Sequence, residues 1–335
     1  MGIVGWIIAV AIFVILVIST TSFLKKSGSE FMNSIGNYFK TQSKEQTQED
    51  KYNNAVESMN TFEQQNKIPE LREKQEEILA DQAIPADKKI MIADSLVAAY
   101  AKENNIQKLE ALLQTVQQKN IISSSEKIAE YKFKLLQLYY ESDDKKIKLK
   151  AKSLAEDLTQ IHKSALYGQL SYYYLAQLTA EDTSAEMQKK AIEYYDSYSN
   201  YIVKNNENLK KDPITAAFIR NYPSEAALYI KAKLLQSSQQ KEALTIYKQI
   251  TNSNNDGTIA QYFIGEAAIV AIELDAGFAK TPEAKQKILA LLELNKDPTK
   301  LNNKEEAEKI YKLINDKYKD DKEMQQKAAA IMKKE

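Results

Sequence analysis

Glu242-Ala243-Leu244-Thr245-Ile246-Tyr247-Lys248-Gln249-Ile250 returns later in the chain as Glu306-Ala307-Glu308-Lys309-Ile310-Tyr311-Lys312-Leu313-Ile314, and an earlier copy reads Lys190-Ala191-Ile192-Glu193-Tyr194-Tyr195-Asp196-Ser197-Tyr198. The shared form is an alanine, an aromatic residue four positions on, and a bulky residue three further. On a helix these positions share one face. The small alanine lets a neighbouring helix come close, and the aromatic fills the space beside it. Three such copies call for helices packed against helices.

The pattern resembles the second helix of the tetratricopeptide repeat (TPR), with its Ala-x₃-aromatic signature. The first helix of that family carries a leucine and a tyrosine four apart, a spacing matched by Leu96 with Tyr100, Leu135 with Tyr139 and Leu170 with Tyr174. Ile264-Gly265, with Tyr262 just before, is similar to the family's Leu-Gly pair, and Lys231 and Gly265 stand one 34-residue period apart. The chain departs from the family in two ways. The first-helix tryptophan is absent, and the repeats Ala191 to Ala243 and Ala243 to Ala307 span 52 and 64 residues, so some hairpins must be longer or carry inserted turns. The resemblance implies an all-α chain: a degenerate α-solenoid of antiparallel hairpins over residues 53–335, clearest over 224–318, closed by a capping helix over 320–335. In the cap, Met324, Ala328 and Ile331 make one narrow apolar stripe.

The rest of the sequence agrees. Glycine and proline number eight and six in 335 residues, while Lys, Glu, Gln, Ala and Leu, which lose little rotamer freedom in a helix, are abundant. Pro69 and Pro85 sit at places where a helix can begin, in a first turn that needs no N–H partner. Asn254-Asn255-Asp256-Gly257 reads as a turn, and no stretch alternates as a strand would. The wealth of Lys, Asn, Ile and Tyr is what an AT-rich, bacterial genome would produce.

The N-terminus reads differently. Residues 2–24 carry no charge, and twelve of the sixteen residues Ile3–Ile18 are Ile, Val, Leu or Phe. As a helix this stretch would measure about 34 Å, enough to cross the hydrocarbon core of a bilayer. No basic n-region precedes it, which favours an uncleaved anchor over a signal peptide. We therefore expect a single-pass transmembrane anchor over residues 1–26 and a polar tether over 27–52. Within the tether, Thr41–Asp50 lacks any apolar residue, and Phe31, Ile35 and Phe39 recur at helical spacing. Lys25 and Lys26 directly after the span place the soluble part in the cytoplasm by the positive-inside rule, the alternative being a periplasmic or extracytoplasmic position.

Charge and composition exclude several chemistries. Forty-six basic residues balance forty-six acidic ones, so nothing draws the chain to nucleic acid. There is no cysteine, hence no disulfide and no thiolate metal site. His162 is the lone histidine and reads as a surface or satisfied residue. No phosphate-binding glycine loop or nucleophile elbow occurs. The expected activity is therefore none, with no catalytic residue, cofactor or metal. The expected partners are other proteins, through helical or extended segments or through self-association, and the lipid bilayer through residues 2–24.

Fifteen of the twenty tyrosines fall between residues 131 and 262. Tyr139, Tyr174, Tyr195 and Tyr247 are expected to wedge between helices, whereas others are free to serve as interface anchors. In TPR proteins the concave groove is lined mainly by first helices. That resemblance would put Leu228, Tyr262 and Glu266 in a partner-binding groove, and Tyr172 joins them as a further groove candidate. The expected role is a membrane-anchored scaffold or adaptor in a membrane, envelope or motility complex. The alternatives are a translocon-associated, chaperone-like TPR protein facing the periplasm, or a self-assembling ring or filament subunit.

Overall fold

A computed structural model describes residues 48–334, and all the regular structure in them is helical. The helices are α1 (Gln48–Gln64), α2 (Ile68–Ala80), α3 (Ala86–Lys102), α4 (Ile106–Gln118), α5 (Ser125–Glu141), α6 (Lys145–Ile161), α7 (Leu166–Ala180), α8 (Ala185–Leu209), α9 (Pro213–Asn221), α10 (Ser224–Leu235), α11 (Gln240–Thr251), α12 (Thr258–Leu274), α13 (Pro282–Lys296), α14 (Lys304–Lys317) and α15 (Lys322–Lys333), with a 3₁₀ turn at Phe278–Lys280. The described residues fall into two compact units, 48–175 and 176–334.

The transmembrane anchor expected over 1–26, and the tether up to residue 47, lie outside the described residues. Among the described residues no helix is long and apolar enough to cross a membrane. The last five residues assigned to the tether, 48–52, instead belong to α1. The polar run before them hid this start, since α1 buries Tyr52, Val56 and Met59, a stripe that only begins at Tyr52.

Side chains start the helices. Asn105, Ser124, Asp144, Ser184, Asp212, Thr281, Asn303 and Asp321 each accept a hydrogen bond from a first-turn N–H of α4, α5, α6, α8, α9, α13, α14 and α15. Pro69 stands in the first turn of α2 as expected, whereas Pro85 is the residue that caps α3 from outside. Four asparagines, Asn66, Asn104, Asn120 and Asn302, take the left-handed conformation with φ of 54°, 51°, 48° and 48°. After the first three, the next N–H reaches back to the carbonyl of Phe62, Tyr100 or Val116, which closes the preceding helix.

In the first unit each of α1 to α5 packs on the next in the chain, and α3 also meets α5. The leucine–tyrosine pairs expected of first helices are all buried: Leu96 with Tyr100, Leu135 with Tyr139, and Leu170 with Tyr174. In the second unit α8 packs on α10, and each of α10 to α14 packs on its successor. Contacts also skip one helix, α10 meeting α12 and α13 meeting α15. Ala191, Ala243 and Ala307 are fully buried, as are Tyr198, Ile250 and Ile314 seven positions later, so the repeated motif does face the core in every copy. The aromatic between them is fully buried at Tyr195 and Tyr247 but half-buried at Tyr311. The copies are not strictly equivalent: they fall on α8, α11 and α14. The 25-residue α8 and the short α9 account for the long first interval. In α15, Met324 and Ala328 are buried as the expected capping stripe requires.

Candidate functional site

Three of the four residues expected to line a groove fall on α10 and α12 of the second unit. Tyr262 and Glu266 are four apart on α12 and so share a face. Leu228 of α10 and Tyr262 pack, half-buried, against the same core of Tyr229, Tyr247, Phe263 and Ile264. Ring edges fix this core, with Tyr229 lying 5.7 Å from Tyr247 and 5.4 Å from Phe263, and Tyr262 5.3 Å from Phe263. Gly265 lets α13 close on the other side: a Cβ there would lie 2.5 Å from Leu291 Cβ. The fourth residue, Tyr172, belongs to the first unit. It is half-buried on α7, beside the buried Tyr173 and Tyr174, and is not part of this constellation.

Glu266 gives the site its chemistry. The Tyr229 hydroxyl, from α10, is close enough to favour the ionised form of Glu266 slightly. Burial among the aromatic rings pushes the Glu266 carboxyl up to about 7, and the negative charges of Glu306 and Glu273 act in the same direction. Lys233 opposes them, but its ammonium lies over the Tyr229 ring, 5.9 Å from the centroid, and forms no ion pair with Glu266. Burial and the Glu266 charge likewise push the Tyr262 and Tyr229 hydroxyls well above the ordinary tyrosine range, so both stay protonated donors.

The first unit holds the same pair of residue types with a third partner. Glu76 of α2 accepts from the hydroxyl of Tyr100 on α3 and from Lys108 Nζ on α4 at 2.8 Å. Glu110 of α4 accepts from Tyr139 on α5 and from Lys150 Nζ on α6 at 2.7 Å. Burial alone would raise both carboxyls, but the lysine and tyrosine hydrogen bonds outweigh it and hold them below the usual carboxylate value. Glu110 and Tyr139 also border a shallow cleft of about 430 Å³ whose other walls include Leu113, Lys132, Leu135 and Leu154.

Two further arrangements escaped the sequence reading. Glu225, in the first turn of α10, is buried and receives Ser253 Oγ at 2.6 Å, Asn255 Nδ2 at 3.1 Å and Ser224 Oγ at 3.2 Å. It ties the polar turn after α11 to the start of α10 and so sets the height of Leu228 and Tyr229. The only signal in the sequence was a glutamate following Pro223-Ser224, which reads as an ordinary helix start. His162 is buried, with Nδ1 2.9 Å from Ser125 Oγ. Burial, then the Lys132 charge, lowers its pKa and keeps the ring neutral. Asp157 lies close enough to act on His162, but its carboxylate is held by Lys132 at 2.6 Å. Ser125 and His162 thus act as a satisfied polar pair joining the two ends of the α5–α6 hairpin. No group of three or more His, Asp or Glu among the described residues is placed to hold a metal.

Comparisons with known proteins found no family model that matches the chain, and no curated protein or solved structure that is significantly similar to it.

Proposed function

We propose that this chain is a membrane-anchored protein–protein interaction scaffold, a degenerate TPR-like α-solenoid of antiparallel hairpins that holds a segment of a partner protein on its α10–α12 face. The observation that carries the reading is the grouping of Leu228, Tyr262 and Glu266. A half-buried leucine and tyrosine supply apolar area at low entropic cost, and a single carboxyl gives that area a polar address. The TPR-like reading is supported by the buried Ala and bulky residues of the three motif copies and by the contacts that skip one helix, such as α10 with α12. The anchor is read from residues 2–24, and confinement at a bilayer raises the effective concentration of membrane-bound partners. Lys25 and Lys26 favour a cytoplasmic position for the helical part, in an assembly at the inner face of the membrane.

Photo-crosslinking in cells that make the full chain tests this. A benzophenone amino acid replaces Leu228 or Tyr262, or Lys241 as an exposed control on α11. The reading expects one and the same partner to be trapped from positions 228 and 262 and not from 241. Equal trapping from all three positions, or none from 228 and 262, contradicts it.

A further inference from the structure

Helix α6 carries the two most exposed large apolar side chains among the described residues, Leu149 at 72% and Ile161 at 69%. Its buried face, made by Ala151, Ala155, Leu158 and Thr159, holds it to the first unit and turns Leu149 outward. Lys145 and Lys146 stand four and three residues before Leu149, and Lys152 three after it, so all three share its face, and Lys148 adjoins it. No Asp or Glu occurs on α6 before Glu156. An exposed leucine is thus framed by ammonium groups. Ile161 lies about 120° around the helix from Leu149, outside that frame.

Two features set these lysines apart from an ordinary solvated face. Lys150, on the flank of the helix, reaches Glu110 at 2.7 Å, but among the described residues no ion pair holds Lys145, Lys146, Lys148 or Lys152. Lys145, Lys146 and Lys148 also fill the first turn, where the positive end of the helix dipole favours acids. Other helices of the chain follow that preference, with Glu70 on α2, Glu126 on α5 and Glu283 on α13. The acids nearest to the lysines in sequence, Asp143 and Asp144, precede α6, and Asp144 is turned back to cap it, accepting from the Lys146 N–H at 2.8 Å. This placement opposes the stability of the helix and suits an anionic surface outside the molecule.

An anionic bilayer fits both parts of the patch. It offers negative headgroups in one plane to the lysines and an apolar layer just beneath them to Leu149. A bilayer is at hand on the anchored reading given above, on which this inference rests. From residue 24 to the start of α1 at Gln48 the chain reaches at most about 80 Å, which keeps the first unit near the membrane. We propose that the N-terminal half of α6 lies on an anionic lipid surface, with Leu149 entering at headgroup level and Lys145, Lys146, Lys148 and Lys152 set against lipid phosphates.

The chain has no cysteine, so Leu149→Cys or Ile161→Cys takes a single polarity-sensitive thiol dye. Each labelled full chain is reconstituted into bilayers of phosphatidylcholine alone or of phosphatidylcholine with phosphatidylglycerol. The expected result is a blue shift of the dye at 149, and its quenching by brominated acyl chains, only when phosphatidylglycerol is present. The response fades as salt is raised. It is lost when Lys145→Glu, Lys146→Glu and Lys152→Glu are combined, with helicity by circular dichroism unchanged. The dye at 161 is expected to stay in water throughout. No response at 149 in the anionic bilayer, an equal response in phosphatidylcholine alone, or an equal response at 161 overturns the proposal. Flotation of the unlabelled chain with phosphatidylcholine vesicles at high salt tests the anchor separately. If flotation fails, the anchor is lost, and the response at 149 to added phosphatidylglycerol vesicles still decides the role of α6.

Discussion

Glu110 and Glu266 are both partly buried glutamates influenced by a buried tyrosine on a neighbouring helix, yet they behave in opposite ways. In the first unit Lys150 stands at 2.7 Å from Glu110, and the carboxyl stays below its usual value. In the second, Glu266 lies deeper among aromatic rings with no paired lysine, and its carboxyl rises to about 7. The same two residue types are thus part of the scaffold in one unit and an unbalanced charge in the other. What separates them is one cation within reach, and an unbalanced half-buried carboxylate is costly to keep unless something uses it.

The contrast can be broken most severely through the helix spacing that holds each site. Gly168 opens α7 against the end of α6, and a Cβ there would lie 2.0 Å from the His162 carbonyl oxygen, a backbone atom that cannot rotate away. Gly168→Ala should cost about 3 kcal/mol or more, measured by urea denaturation. Gly265→Ala meets the Leu291 side chain instead, at 2.5 Å from Cβ and 3.0 Å from Cδ1, and should cost about 1–3 kcal/mol. If the two costs are equal, the tighter backbone approach in the first unit is not a real constraint.

The next effect is in pH dependence, where the two glutamates have opposite signs. Glu266 has a raised carboxyl, so its contribution is fully favourable below the unfolded value near 4.5 and is lost as pH climbs through about 7. Glu266→Gln should therefore leave stability unchanged at pH 5 and raise it by roughly 1–2 kcal/mol at pH 8. Glu110 has a lowered carboxyl, so its contribution is present above the unfolded value and is lost only as pH falls through the acid range. Glu110→Gln should cost about 1 kcal/mol at both pH 5 and pH 8, a small figure because Lys150 is largely exposed. Thermal melts of the two variants across this range check both signs.

The smallest expected effects lie at the left-handed asparagines. Asn104→Ala and Asn302→Ala should each cost about 1 kcal/mol, since alanine tolerates positive φ poorly, and Asn104→Gly should be neutral or gain a few tenths. Chemical denaturation of the three variants would show it.

Much of this was legible in the sequence, and the reason is periodicity. Alanine, aromatic and bulky residue at fixed offsets mark a packed helix face without outside information, and Ala191, Ala243 and Ala307 are all fully buried. Tyr262 and Glu266 could be grouped because they lie four apart on one helix. The partners of Glu266 could not be read, since Tyr229 is 37 positions away and nothing local marks it. The same distance hid the Ser125–His162 pair, also 37 apart, and the lock on Glu225 from Ser253 and Asn255, 28 and 30 residues on. Tyr172 was singled out by local density alone, and it joins a different unit. The start of α1 was missed because its first turns are polar, and helix propensity without an apolar stripe is a weak signal.

The most direct test titrates the carboxyl carbons of Glu76, Glu110 and Glu266 together in the full chain by ¹³C NMR, each assigned by its glutamine variant. The account expects Glu266 to titrate near 7 while Glu76 and Glu110 titrate below the usual glutamate value. Three carboxyls titrating together near 4.5 would contradict it.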